Sequence, residues 1–176
     1  FQVERLCREV LEQPDRHAAL RFLAQALQSL ETALPGLNNE GLAALHELEH
    51  GVPGRQDWVE AGQKAASVVG NRDGDLLTAL GFEVQSLDNL TDLLLSSDRR
   101  TALAVMLREK ESPEAGTARF NNLSPVSYAL KKADDENLPW VILVQGNRLR
   151  LYSTAIDAGV GRRGRTETFI ECQPSL

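Results

Sequence analysis

The stretch between Ala102 and Thr154 constrains the fold more than any other part of this 176-residue chain. It contains an apolar run that ends in charged residues, a helix-like segment, a purely apolar run at Trp140–Val144 and an alternating segment after the Gly146–Asn147 turn. Short apolar runs bounded by turn residues are typical of strands, and a continuous run is typical of a strand covered on both faces. We therefore predict the order strand, helix, buried strand, tight turn and half-exposed strand.

The residues before this stretch are predicted to be mostly helical, because their apolar residues recur at helical spacing between Pro and Gly stops. Four helices are expected: one that ends before Pro14, one from Asp15 to Leu34, one from Asn38 or Asn39 through Leu48, and one from about Asp57 to Gly70. A short helix from Asp73 and strands at Phe82–Gln85 and Leu93–Leu95 then lead to Ala102, and a last strand is expected over Thr166–Cys172.

Composition limits the class of protein. A net charge of −6 excludes a polycation that coats nucleic acid, although local basic patches remain possible. The cysteines, Cys7 and Cys172, lie far apart, which fits a reducing cytoplasm and predicts neither a zinc knuckle nor a disulfide framework. No apolar run approaches the roughly 18 residues of a membrane span, so no membrane partner is expected.

The segment His46-Glu47-Leu48-Glu49-His50 matches the H-E-x-x-H pattern. On a helix, this pattern places two imidazoles one turn apart with a Glu between them, as in zinc peptidases. A third zinc ligand is missing from the sequence, because His17 lies upstream and no His follows His50. An exposed acidic helix is the competing interpretation, and we favour it.

Charged residues at the end of the first apolar run indicate a second kind of metal site. Nucleases of the PD-(D/E)xK type place an Asp at the start of one strand and Glu-x-Lys near the end of the next, where the acids hold Mg²⁺. Asp92 can stand for the first element. Two residues before Lys110, however, the chain has Arg108 in place of the acid, and Glu109 and Lys110 face opposite sides of a strand unless a bulge intervenes. A solvated cluster of charges is the alternative.

A localised basic signal follows these elements in an otherwise acidic chain. Two arginines lie on one face of the predicted strand after Gly146, and three lie in the Gly/Arg loop Ala158–Arg165. A solvated loop tip and a phosphate-contacting surface both fit this pattern. The candidate DNA-binding residues are Arg148, Arg150, Arg162, Arg163 and Arg165.

Three phrases between Leu80 and Tyr152 carry a family resemblance: L-G-F-E-V-Q-S-L-D-N-L-T-D, A-V-M-L-R-E-K-E and a hairpin of the form W-x-I-L-x-x-G-x-x-x-R-L-Y. The hairpin places are taken by Trp140, Ile142, Leu143, Gly146, Arg150, Leu151 and Tyr152. From roughly Asp75 to Cys172, the chain resembles the N-terminal region of bacterial type IIG restriction–modification proteins. In those proteins a nuclease-like domain and an N6-adenine DNA methyltransferase share one polypeptide.

The resemblance implies a PD-(D/E)xK-like sheet close to duplex DNA. By position, it makes Asp92 and Glu109 the metal carboxylates for Mg²⁺ and Lys110 the catalytic lysine, with Glu111 as the substitute acid if the strand is bulged. The departure at Arg108 bears on cleavage more than on the fold. The chain contains no Asn/Asp-Pro-Pro-Tyr loop, so S-adenosylmethionine is expected only in the parent protein.

We therefore expect an α+β fold (an α/β mixed sheet), with a helical subdomain over residues 1–72 packed on a small restriction-endonuclease-like sheet over residues 73–176. The chain is expected to be a fragment of a longer cytoplasmic protein. Its expected function is that of a nuclease-like, catalytically degenerate module of a restriction–modification or phage-defence methyltransferase. The expected partners are duplex DNA and the methyltransferase domain of the same polypeptide. An active Mg²⁺-dependent endonuclease and a zinc peptidase acting through His46 and His50 are the alternatives.

Overall fold

The computed structural model describes residues 10–11, 13, 15–22, 36–159 and 164–174. The chain divides into two compact units, Phe1–Pro35 and Gly36–Leu176, whereas the sequence placed the end of the helical subdomain at residue 72. In the first unit, residues 16–22 are helical, and Asp15 Oδ1 accepts a hydrogen bond from Ala18 N at 2.8 Å. Asp15 is thus the predicted helix cap. Most of the first predicted helix and residues 23–35 of the second lie outside the described residues.

The second unit is built on a mixed sheet, in which the described residues form seven strands. The strands are β1 (Leu37–Asn39), β2 (Glu83–Ser86), β3 (Asp92–Ser96), β4 (Arg99–Met106), β5 (Trp140–Gln145), β6 (Arg148–Ser153) and β7 (Phe169–Cys172). Their order across the sheet is β1-β7-β6-β5-β4-β3-β2. Only the β4–β5 pair is parallel among these described strands; the other neighbours are antiparallel.

The helices of this unit are α1 (Trp58–Val68), α2 (Asp73–Ala79) and α3 (Pro125–Asp135), with a π-helical turn at Glu47–Gly51 and 3₁₀ turns at Ala118–Phe120 and Arg165–Glu167. Helix α3 lies in the connection between β4 and β5, as a parallel pair of strands requires a crossover. Helices and a mixed sheet together make this an α+β fold, which confirms the predicted class.

The sheet is buried between two apolar clusters. On one face, Val105 and Leu143 pack with Ala129 and Leu130 of α3. On the other face, Leu77 of α2 packs with a set of sheet residues, Leu94, Ala102, Ala104, Ile142 and Val144. Because β5 is covered on both faces, its residues Val141–Val144 are all buried. This confirms the fully buried strand predicted from the unbroken apolar run.

Local signals predicted helix α3 well. Ser124 is its N-cap, with Oγ accepting a hydrogen bond from Ser127 N at 3.2 Å, and Pro125 occupies the first turn, as the sequence predicted. Leu123, expected to be buried, is 38% exposed because it precedes the cap and lies outside the helix. Trp140, expected to pack, is 37% exposed at the first position of β5.

The N-terminal part of the second unit differs from the prediction. A third helix was expected from Asn38 or Asn39, but Leu37–Asn39 form β1 and pair with β7. The Asn39 side chain hydrogen-bonds both the N–H and the carbonyl of Ala43, so it stabilises the bend after the strand and caps no helix there. Among the described residues, no helix has the length and apolar character needed to cross a bilayer.

Candidate functional site

The nuclease residues predicted from the sequence lie at one end of the sheet. Strand β3 runs antiparallel to β4, so its first residue, Asp92, pairs with Ala104 near the end of β4. The loop containing Glu109, Lys110 and Glu111 follows β4 directly. Strand β5, parallel to β4, also ends here. The fold therefore brings the predicted acid of one strand to the same end as the charged loop of the next.

Asp92 and Asp88 respond in opposite ways to their surroundings. Burial, and then the negative charge of Asp88, raises the pKa of Asp92. Asp88 accepts hydrogen bonds from Leu90 N and Thr91 N, both at 2.9 Å, and pairs with Lys132 at 3.2 Å. Although burial opposes the change, these bonds lower the pKa of Asp88. The carboxylate predicted to bind metal is therefore the one whose charge the protein stabilises less.

The cross-strand neighbours of Asp92 determine whether it can share a metal ion. Alternation along β3 places Asp92 on the same sheet face as Leu94, where Ala104 is buried and Met106 packs beside it. Ala104 lies directly opposite Asp92, and Met106 is the next residue of β4 on that face. On the other side, Asp92 pairs with Ser86 of β2. Neither Ala nor Met supplies an oxygen ligand for Mg²⁺.

The described residues also contain no group of three His, Cys, Asp or Glu side chains placed to hold a metal ion. The cross-strand neighbours Ala104 and Met106 therefore do not supply the second carboxylate that the resemblance implies, and the nearby Asp88 carboxylate is engaged by Lys132 and two backbone N–H groups.

The loop after β4 is held in place by the last residue of β5. Gln145 Nε2 donates hydrogen bonds to the carbonyl oxygens of Arg108 and Glu111, both at 2.7 Å, and contacts that of Glu109 at 3.3 Å. Leu107 N donates to Val144 O at 2.7 Å. One side-chain amide therefore binds several carbonyl groups of the loop, among them Arg108 O, which also accepts a hydrogen bond from Glu111 N at 3.0 Å.

Glu111 closes this loop. Its Oε2 accepts a hydrogen bond from Arg108 N at 2.8 Å and one from Arg119 Nη1 at 2.5 Å. Arg119 also donates from Nη2 to Met106 O at 3.0 Å. The Glu111 side chain is only 12% exposed. The charge of Glu111, the candidate substitute acid, is thus neutralised by Arg119. The contacts of Glu111 hold the loop in place.

Glu109 and Lys110 are the exposed members of the predicted set. Within the described part of the chain, neither side chain makes a hydrogen bond or ion pair. The register shift of the β3–β4 pair lies between Leu94 and Leu95, at the far end from this loop. The charged loop therefore presents an acid and a lysine to solvent, with no bulge found there among the described strand pairs.

Two of the candidate DNA-binding arginines, Arg150 and Arg165, form ion pairs with carboxylates. Arg150 forms ion pairs with Glu171 and Glu114 and lies over the Phe169 ring, 4.6 Å from its centre. Burial acts to lower the pKa of Arg150, but the hydrogen bonds to the two glutamates raise it above its usual range.

Arg165 binds Asp134 through both guanidinium nitrogens, at 2.9 and 3.0 Å, and donates to Thr154 O at 2.6 Å. Arg148 is 44% exposed and lies 4.0 Å from Glu171. Arg162 and Arg163 lie outside the described residues. Of the described candidates, Arg148 is therefore the one that keeps most of its charge available to a ligand.

The H-E-x-x-H segment lies mainly in the π-helical turn. The rings of His46 and His50 are 4.8 Å apart, edge to face, and both residues are exposed. Glu47 and Glu49 are exposed as well. In the described ranges no third ligand joins them, so this pair lacks the set that a peptidase zinc site uses.

The hairpin that carries the family resemblance consists of residues with structural roles. Gly146 has φ +62° in the β5–β6 turn, a conformation that favours Gly. Tyr152 is fully buried, with its ring 5.3 Å from that of Phe169. Arg150 joins β6 to β7 and to the loop at Glu114. The hairpin motif therefore specifies how these strands pack.

Sequence reasoning missed Gln145 and Arg119, the residues that fix the charged loop. A polar residue that ends a buried strand was the available signal for Gln145, because such a side chain lies beside the neighbouring strand end. Arg119 gave no comparable signal, since its contacts with Glu111 and Met106 depend on how the loop folds back.

Comparisons with protein-family models, with curated proteins and with solved structures found no match to this chain.

Proposed function

We propose that this chain is a nuclease-like module that lacks metal-dependent cleavage and associates with duplex DNA. In the proposal, it serves beside an adenine-specific methyltransferase domain of the same polypeptide, in restriction–modification or phage defence. One observation carries the proposal: Asp92 keeps the place of a nuclease acid at the start of β3, while its partner across the sheet is Ala104.

The arrangement of the sheet supports the nuclease-like part of the proposal. Strands β2, β3 and β4 form an antiparallel meander, α3 follows, and β5 returns parallel to β4. This agrees with the strand, helix and strand order of the family that the sequence resembles. Because the residues of the W-x-I-L hairpin act in packing and ion pairing, the resemblance supports a shared fold more strongly than shared cleavage chemistry.

The chemistry supports the loss of cleavage. Metal-assisted hydrolysis of a phosphodiester needs carboxylates that hold the ion next to the reacting phosphate. Beside Asp92, the neighbouring strand offers a methyl group and a thioether. Glu111 already accepts hydrogen bonds from Arg119 and the Arg108 backbone. The raised pKa of Asp92 also makes the ionised form that binds a cation less favourable at this residue.

A nicking assay on supercoiled plasmid tests the loss of cleavage. We expect no nicking above the buffer background with Mg²⁺ or Mn²⁺. The Glu109→Ala variant and a matched exposed control, Glu83→Ala, should give the same background. Metal-dependent nicking that disappears in Glu109→Ala and persists in Glu83→Ala would instead establish an active endonuclease.

Association with DNA is tested separately, by fluorescence anisotropy of a labelled duplex at low salt. We expect saturable binding whose affinity falls as salt rises, because phosphate contacts release counterions. Absence of binding at roughly 50 mM salt would refute the DNA part of the proposal. The methyltransferase partner is tested on the coding sequence on either side of this chain, where we expect an Asn-Pro-Pro-Tyr-type loop.

A further inference from the structure

We propose that the DNA-contacting surface is the end of the sheet at which β4 and β5 finish. Four exposed residues, the sheet-end cations, form this surface: Arg72, Arg108, Lys110 and Arg148. This inference rests on the proposed function and assigns it a surface that shares only Arg148 with the arginine set expected from the sequence.

The sheet-end cations come from three separate segments that meet at one place. Arg108 and Lys110 are in the loop after β4, whose carbonyl groups Gln145 binds at the end of β5. Arg148 begins β6, directly after the turn that follows Gln145. Adjacent strands are about 4.8 Å apart, so the end of β4 and the start of β6 are separated by about 10 Å.

Arg72 is brought to the same turn by its neighbour Asp73. Asp73 N donates to Gly146 O at 2.8 Å, and Gly146 N donates to Asp73 Oδ1 at 3.0 Å. This reciprocal pair ties the start of α2 to the β5–β6 turn. The backbone positions of all four cations are therefore set by hydrogen bonds before any ligand binds, which lowers the entropic cost of binding.

Positive charge elsewhere in the second unit is largely neutralised. Ion pairs engage most of its other described cations: Arg55 with Asp57, Lys64 with Glu60, Arg100 with Glu136, Arg119 with Glu111, Lys132 with Asp88, Arg150 with Glu171 and Glu114, and Arg165 with Asp134. Among the described cations outside the sheet-end set, Arg99 and Lys131 make no ion pair in this unit. At the sheet end, Arg148 has only a long 4.0 Å contact with Glu171, and Arg72, Arg108 and Lys110 make no ion pair among the described residues, so available cationic charge is concentrated there.

The acids beside the sheet-end cations are partly occupied as well. The Asp73 carboxylate accepts from Gly146 N, and that of Glu111 accepts from Arg119 and from the Arg108 backbone. Glu109, between two of the cations, remains exposed. A polyanion is the ligand that this surface fits, and the phosphates of duplex DNA are the polyanion that the proposed function supplies.

Two double variants with equal loss of charge test the surface. Arg108→Ala/Lys110→Ala removes two sheet-end cations. Arg99→Ala/Lys131→Ala removes two exposed, unpaired cations elsewhere, one of them at the opposite end of β4. We expect the first to weaken duplex binding roughly tenfold in anisotropy at low salt and to reduce the salt slope by about 2. The second should leave both quantities close to wild type.

The outcomes separate this inference from the proposed function. If the wild-type chain binds duplex DNA and the two double variants lose affinity equally, or only the control loses it, DNA association stands and the sheet-end surface is wrong. If the wild-type chain does not bind duplex DNA, both proposals fail. As a second variant, Glu109→Gln removes the exposed acid between two of the cations and should tighten binding about twofold. Weaker binding by this variant would overturn the assignment.

Discussion

Asp92 of β3 lies directly opposite Ala104 of the neighbouring strand β4, and Ala104 is fully buried. A carboxylate at the start of one strand therefore faces a methyl group on the strand where a nuclease of the implied type places its second acid. Asp92 has the energetic cost of a partly buried charge, and burial raises its pKa.

The first prediction concerns Asp92→Asn. A pKa raised in the folded state means that the ionised side chain is less favourable in the folded protein than in the unfolded one. The protonated Asp92 side chain is therefore the form that stabilises the fold. This contribution is fully present below the carboxyl pKa of the unfolded chain and is lost as pH rises through the folded pKa. We expect the variant to raise the urea midpoint at about pH 7 and to lose this advantage at about pH 3. Urea denaturation at both pH values measures it.

Asp88→Asn is the contrasting variant, in the loop between β2 and β3, four residues before Asp92. The pKa of Asp88 is lowered, so its ionised form stabilises the fold above the carboxyl pKa of the unfolded chain, and the contribution is lost as pH falls through the folded pKa. We expect this variant to lower the urea midpoint at about pH 7. Equal effects of the two substitutions would contradict the difference assigned to their environments.

A second prediction concerns Arg119→Ala. The substitution leaves the Glu111 carboxylate, which is 12% exposed, without its guanidinium partner, and leaves Met106 O without a donor. Removing one partner of a largely buried charge pair is costly, because the remaining charge stays desolvated. We expect the free energy of unfolding to fall by about 2 kcal/mol in urea denaturation. Arg55→Ala, at an exposed pair, is the control and should leave the midpoint unchanged.

Signals from neighbouring residues in the sequence predicted most helices and strands of the fold. The element that they missed, β1, depends on pairing with a strand far along the chain. Ser124 and Pro125 set the start of α3 from adjacent residues, and the apolar run Val141–Val144 needed no partner to be recognised as a buried strand. Strand β1 is different, because Leu37–Asn39 become extended by pairing with β7, far along the chain. Helical spacing of Leu residues could not reveal this partner.

The candidate site was predictable in its location but not in its chemistry. The sequence placed Asp92 and the charged loop at adjoining strand ends, and the antiparallel pairing of β3 and β4 places them together. The residue opposite Asp92 depends on strand register, which a single sequence does not specify. Likewise, the arginines were visible in the sequence, but Arg150 and Arg165 meet their carboxylates only through tertiary contacts.

A third prediction concerns Tyr152→Phe. Burial raises the pKa of the Tyr152 hydroxyl against the opposing effect of the nearby Arg150 guanidinium, and the hydroxyl makes no hydrogen bond of good geometry among the described residues. An unsatisfied buried polar group costs about 1–3 kcal/mol, so its removal should keep or raise the free energy of unfolding. Tyr152→Ala removes the ring that packs on Phe169 and should lower it by about 3–5 kcal/mol. Thermal and urea unfolding measure both, and destabilisation by Tyr152→Phe would show that the hydroxyl has a partner.

The last prediction concerns Gln145→Ala and the order of the charged loop. The Gln145 amide binds the carbonyl groups of Arg108 and Glu111, so its loss leaves the loop tied mainly through Glu111. Trypsin cleaves after Arg108 and Lys110 only when the loop opens, because a protease needs an extended, accessible segment. We expect limited trypsin digestion to cut at these two residues several-fold faster in the variant, with the products identified by mass spectrometry. Gln85→Ala, on the edge strand β2, is the control, since its amide binds only Glu83 among the described residues. Equal cleavage rates in both variants would mean that the loop keeps its conformation without Gln145, and that its remaining contacts, such as the Glu111–Arg119 pair, are sufficient to position the sheet-end cations.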